Sequence, residues 1–99
     1  MTEYFSNKQI EKVQDIIKEF YRLNNTFNSN CRIENIKMYK DNENNLYVSY
    51  TGKYTGIDGQ TIGDYYLKID SNGNEEKLNY SMNLTDLKEY FETLKQVNL

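Results

Sequence analysis

The sequence predicts an α+β domain: a four-stranded antiparallel meander with N- and C-terminal helices packed on one face, in the order α-β-β-β-β-α. Three observations predict it. The stretch LYVSYTGKYTGIDGQTIGDYYLKID, Leu46 to Asp70, alternates in polarity on both sides of Asp58-Gly59. Asp-Gly between such runs signals a type I′ hairpin, because both central residues need φ > 0. Asn72-Gly73 repeats that signal before a further short run. Both ends of the chain instead space their apolar residues for helices.

A turn on Asp58-Gly59 sets Tyr50 opposite Leu67, Val48 opposite Ile69 and Lys53 opposite Asp64. A slip of one residue would turn every side chain over, so the clean sorting of the faces supports the register. Gly52 then lies opposite Tyr65 and Gly63 opposite Tyr54, each glycine under an aromatic ring.

The first helix opens at Ser6. Gln9 three residues on makes a capping box, and Phe5 and Ile10 flank it as a hydrophobic staple. Ile10, Val13, Ile16, Ile17, Phe20 and Leu23 follow the helical period, predicting a helix from Asn7 to Leu23. Glu11, Asp15 and Glu19 form an acidic ridge on its other side, interleaved with Lys8, Lys12, Lys18 and Arg22. Ile33 to Lys40 reads as the first strand, with Met38 meeting Val48 and Ile36 meeting Tyr50 across a loop at DNENN. After the Asn-Gly turn, Leu67 pairs with Leu78 and Tyr65 with Tyr80, giving a fourth strand from Glu76 to Met82. Asn83 or Thr85 caps the last helix; Asn83 with Asp86 resembles a second capping box, stapled by Met82 and Leu87. Leu84, Leu87, Phe91 and Leu94 predict a last helix reaching Gln96. The α-β-β-β-α part of this order is similar to double-stranded RNA-binding domains. The last helix begins NLTDLKEY, without their basic start, so that function is not carried over.

Ninety-nine residues make one domain, 1–99, with a single core. The formal charge of −3 argues against general affinity for nucleic acid. With no His and one Cys, neither a zinc site nor a Ser-His-Asp or Cys-His arrangement can be built. No catalytic residue, metal or cofactor is expected. No apolar run is long enough for a membrane helix, and MTEYFSNKQI lacks the pattern of a signal peptide, so the expected location is the cytoplasm. Phe, Tyr, Met, Ile, Asn and Lys supply 49 of the 99 residues and Gly, Ala, Arg and Pro only 7, which points to AT-rich coding, as in a low-GC bacterium or its phages.

An antiparallel sheet with helices on one face leaves the other face wet. On that face the alternation places Tyr39, Tyr47 and Tyr66 beside Lys37 and Lys68, and tyrosine is a common interface anchor. The hairpin tip adds Tyr54 and Ile57. These seven residues are the expected partner-binding surface. The expected function is a non-enzymatic protein-binding module, a phage or mobile-element inhibitor of the anti-defence, anti-CRISPR-like kind, that occupies a partner protein's surface. The alternatives are nucleic-acid or small-ligand binding on the same open face, or a homo-oligomer, a homodimer in its simplest form.

Overall fold

A computed structural model describes residues 5–26, 30–56 and 59–97. The elements are α1 (Asn7–Thr26), β1 (Asn30–Lys40), β2 (Leu46–Gly56), β3 (Gly59–Ile69), β4 (Glu75–Lys77), a 3-10 turn (Leu78–Tyr80), α2 (Leu84–Glu92) and β5 (Lys95–Val97). The α+β class is as expected, with a helix toward each end of the chain and an antiparallel sheet. The sheet has five strands, however, in the order β4-β3-β2-β1-β5. The fifth comes from the tail, where α2 stops at Glu92 instead of reaching Gln96. Residues 95–97 pair with β1, setting Val97 opposite Met38.

The helices lie on opposite faces of the sheet, not on one. Leu46, Val48, Leu67 and Ile69 point to α1 and pack with Val13, Phe5 and Val97, bordered by Ile10, Ile16, Ile17, Met38 and Tyr50. Tyr47 and Tyr66, one step along the same strands, point the other way and pack with Leu78, Leu87 and Phe91 of the α2 side. The alternation therefore sorts apolar aliphatics from tyrosines. Both sets are buried, because a tyrosine ring supplies as much apolar area as an aliphatic side chain.

The predicted capping box of α1 is present. Ser6 N donates to Gln9 Oε1 (2.9 Å) and Gln9 N to Ser6 Oγ (3.3 Å). Gln9 Nε2 also donates to the carbonyls of Asn44 (2.8 Å) and Ile69 (3.2 Å). Gln9 is only 1% exposed, and its amide ties the start of α1 to the strand loops on both sides of β2 and β3.

Those loops, Asp41–Asn45 and Asp70–Asn74, are built alike. In each, one carboxylate oxygen of the opening Asp accepts from the backbone N–H groups two and four residues on, at 2.8 and 3.0 Å for Asp41 and 2.9 and 3.0 Å for Asp70. The other oxygen accepts from the closing Asn amide, at 2.8 and 3.1 Å. The fourth position is left-handed in both, Asn44 at φ 62° and Gly73 at φ 86°, where Asn and Gly are the tolerated residues. Burial raises the Asp41 pKa, but hydrogen bonds from Asn45, Glu43 and Tyr47 outweigh it and hold the carboxyl below its usual range. The bonds from Asn74 do the same for Asp70.

Two registers differ from expectation. In the central hairpin Tyr50 pairs with Tyr65 and Val48 with Leu67, and Gly56 pairs with Gly59. The pairing is thus two residues from the predicted register and the turn one residue earlier, its central pair 57–58 lying outside the described residues. A shift of two preserves the faces. It replaces the expected Lys53–Asp64 pair, and Lys53 instead bridges to Glu34 (2.9 Å). The β3–β4 pairing sets Leu67 opposite Lys77. Leu78 leaves the ladder for the 3-10 turn, so no row runs from Ile36 to Leu78.

The β1–β2 pairing matches the expected register from Lys37 to Lys40, then shifts by one between Glu34 and Lys37. Asn35 sits there at φ 57°, the conformation that opens a bulge. The extra residue brings Ile33 opposite Gly52, on the α1 face, whereas unbroken alternation had put it on the other. α1 itself runs three residues past the predicted end at Leu23.

Replacing Gln9 by Met should lower the urea midpoint. It takes one bond each from Ser6 N and the Asn44 and Ile69 carbonyls, at about 1–3 kcal/mol in all. Gln9→Glu should be worse at neutral pH, because it sets a carboxylate against the same two carbonyls. Equal stability of wild type and both variants would contradict the clamp.

Candidate functional site

Of the seven residues expected to bind a partner, the structure encloses the central ones. Tyr47 is 2% exposed and Tyr66 8%. Phe91 of α2 stands among three tyrosine rings, all edge-on: Tyr39 at 5.3 Å, Tyr47 at 5.6 Å and Tyr66 at 4.9 Å between centroids. The Tyr47 hydroxyl donates to Asp41 Oδ2 (3.0 Å) and meets the Tyr90 hydroxyl of α2 at 3.0 Å. The tyrosine face is an anchoring surface whose occupant is the chain's own second helix. Beside α2 an open concavity of about 370 Å³ remains on this face, where Lys37, Tyr39 and Tyr66 meet Lys88, Phe91 and Glu92 of the helix. Lys68 lies over the Tyr47 ring at 6.0 Å, a cation–π distance. Lys37 remains exposed. Ile57 and the Tyr54 side chain lie outside what the structure describes.

The α2 helix that covers this face is fixed at its start by the predicted box. Asp86 N donates to Asn83 Oδ1 (2.8 Å) and Asn83 Nδ2 to Asp86 Oδ2 (3.0 Å). Its end is held by Thr93 Oγ1 donating to the Tyr90 carbonyl (2.6 Å).

An open concavity lies on the α1 side, beside the β4 edge, with a volume of about 580 Å³. Lys12, Asp15, Ile16, Glu19 and Phe20 line it from α1. Their spacing of three and four places them on one flank of the helix. Tyr50, Tyr65 and Leu67 make the floor, and Glu75, Lys77, Asn79 and Tyr80 the far wall. Tyr50 and Tyr65 stack at 5.1 Å and 20°, and Phe20 meets Tyr50 edge-on at 6.4 Å. Gly52 makes this arrangement possible: a Cβ there would lie 2.9 Å from Phe20 and 3.0 Å from Tyr65. Tyr80 is 86% exposed, an aromatic ring with almost no cover from its own chain.

The groove is aromatic at its base and charged at its rim, where three carboxylates face two ammonium groups. Glu19 is bound by Arg22 (Arg22 Nε to Glu19 Oε2, 3.0 Å). The Tyr50 phenol is pushed up to about 12, first by burial, then by the Tyr65 phenol and the Glu75 charge. The acidic ridge of α1 thus contributes Asp15 and Glu19 to the groove, while Glu11 is not among the lining residues. The groove itself has no short sequence signature, because its walls come from residues 12–20, 50, 65–67 and 75–80. The nearest signal is Tyr80, a large ring in a polar stretch.

Among the described residues no group of three or more His, Cys, Asp or Glu could hold a metal ion, and no helix is long and apolar enough to cross a membrane. No family model matches the chain, and neither a curated protein nor a solved structure matches it.

Tyr47→Ala and Tyr66→Ala should each cost about 3–5 kcal/mol, as large buried aromatics do, measured by chemical denaturation; an unchanged midpoint would contradict their burial. Alkaline pH should also destabilise the fold. In the unfolded chain Tyr50 loses its proton at the ordinary value of 10.0, and in the native chain at about 12. Its contribution is therefore full below the first value and is lost as pH rises through the second. Tyr47 and Tyr66 are raised as well, chiefly by burial. Urea midpoints measured across that window should fall less steeply for Tyr50→Phe than for wild type.

Proposed function

We propose that the chain is a non-enzymatic binding module that takes up an exposed segment of a partner protein in the groove between α1 and the β4 edge. One observation carries this reading: an aromatic floor and an uncovered Tyr80 ring bordering about 580 Å³ of open space. Stacked and exposed rings anchor partners at low entropic cost, since each has two rotatable bonds to freeze. The rim adds selectivity. With Glu19 tied to Arg22, Asp15 and Glu75 face Lys12 and Lys77 across the rim, and the whole chain carries −3. A segment presenting an Arg or Lys would lay its methylenes on Tyr65 and Tyr80 and bring its cation to Asp15 and Glu75.

Such a module acts by occupancy. Its small size, its acidity and its AT-rich coding support the inhibitor class found in phages and mobile elements, where a small protein blocks a surface of a larger one.

The test is an NMR titration of the labelled protein with arginine-containing, lysine-containing and uncharged short peptides of equal length. The cationic peptides should shift the amides of Tyr65, Glu75 and Tyr80 and leave α2 unmoved. Tyr80→Ala should weaken binding about tenfold with little change in melting temperature, since the ring is exposed. Shifts confined to another surface, or none with any peptide, would overturn the assignment.

A further inference from the structure

The outer edge of β3 is only partly covered. β4 pairs with Leu67, Lys68 and Ile69 and no further. Asn79 then takes over: Tyr66 N donates to its Oδ1 (2.8 Å), and its Nδ2 donates to the Asp64 carbonyl (3.0 Å). This side-chain amide stands in for one more strand residue and closes the ladder. Among the described residues nothing pairs with the outer side of β3 before that point.

The parity of the open backbone groups follows from the covered part. Asp70 N donates to Asn74 O (3.0 Å), Lys68 pairs with Glu76, and Tyr66 N meets Asn79. Even-numbered residues of β3 therefore point their backbone groups outward; Gln60 and Ile62 continue the series, and Asp64 keeps its N–H while its carbonyl is held by Asn79. Ile62 is 57% exposed. The run Gly59-Gln60-Thr61-Ile62-Gly63 contains no charge and no proline. Other edge segments carry charge, and β5 opens on Lys95. The outer part of β1 carries Arg32, Glu34 and Lys37 with the Asn35 bulge, and β4 reads Glu-Glu-Lys. Charge and bulges are the usual means of blocking strand addition, and the β3 edge has neither before Asp64.

We propose that β3 pairs antiparallel with β3 of a second copy of this chain, about a two-fold axis at Ile62. This register is self-complementary. Each Ile62 faces the other on the same side of the joined sheet, burying two exposed side chains together and exchanging both backbone bonds. Gln60 falls opposite Asp64 of the second copy, its carbonyl meeting the Asp64 N–H while the Asp64 carbonyl stays with Asn79. The arrangement is isologous, so it closes at two copies. A single short strand pair is small beside a standard interface of roughly 1,600 Å², so the association should depend on concentration. The inference does not rest on the groove.

Size-exclusion chromatography with light scattering, run over a wide concentration range, tests it. The wild-type mass should rise from 11.8 kDa toward twice that value. Ile62→Pro removes an N–H that the hairpin does not use, which edge positions tolerate, and Ile62→Lys sets like charges opposite each other. Both variants should stay at the monomer mass with the melting temperature of wild type; if the proline disturbs the hairpin, the lysine variant still decides. A wild type that stays monomeric throughout, leaving the edge to a foreign strand or to none, overturns the proposal. So does a dimer that the lysine variant leaves intact.

Discussion

One buried amide holds the architecture in register. Gln9 closes the capping box of α1 with its carbonyl oxygen and bonds two strand-end carbonyls with its nitrogen. A helix cap is ordinarily a local device that satisfies the orphan N–H groups of the first turn. Here the same side chain also fixes where that turn sits on the sheet. The arrangement works because each loop beneath it is rigid in its own right, braced by an Asp that gathers two backbone N–H groups and an Asn amide. Because Gln9 itself is buried and shared between the cap and both loops, losing its amide weakens several bonds at once rather than one.

The second constraint is the two-sidedness of the sheet. β2 and β3 alternate aliphatic side chains with tyrosines, and neither set faces water. The aliphatics meet α1; the tyrosines close on Phe91. The chain therefore has three layers, and α2 must cross the sheet from the β4 edge to the β1 edge, where residues 95–97 join it. That crossing leaves the groove beside β4 on the α1 side, where Tyr65 and Tyr80 keep their rings in solvent.

Local patterns in the sequence locate the helix starts, both capping boxes, the first three strands and, Ile33 apart, the sorting of their faces, because each depends on residues a few positions apart. Long-range choices are less legible. Tyr39, Tyr47 and Tyr66 stand out as an anchoring patch, but tyrosine is amphipathic, and its spacing does not say whether its partner is another molecule or Phe91. The tail could also be read as one helix through Leu94 and Val97; the structure ends it at Thr93 because Val97 packs on the far face. The bulge left a trace that alternation alone overlooks: Ile33, Ile36 and Met38 are spaced by three and then two, which puts all three on one face only if a residue is inserted. The Asp-Gly signal misplaced the turn by one position and the pairing by two, because the hairpin closes between Gly56 and Gly59 and sets Tyr50 on Tyr65.

Because α2 and β5 follow every other element in the chain, the tyrosine face is the last surface to be covered. During synthesis the three-stranded core of β1, β2 and β3 can form while Tyr39, Tyr47 and Tyr66 still lack Phe91, and the β1 edge still lacks Val97, its neighbour across 59 positions of sequence. For that interval the nascent chain displays a sticky aromatic wall beside unpaired strand backbone, a combination prone to association with other unfinished chains. The hydroxyl groups give this wall an advantage over phenylalanine: they hydrogen-bond to water while the wall waits, and Tyr47 then turns its own to Asp41 and Tyr90 once the helix arrives.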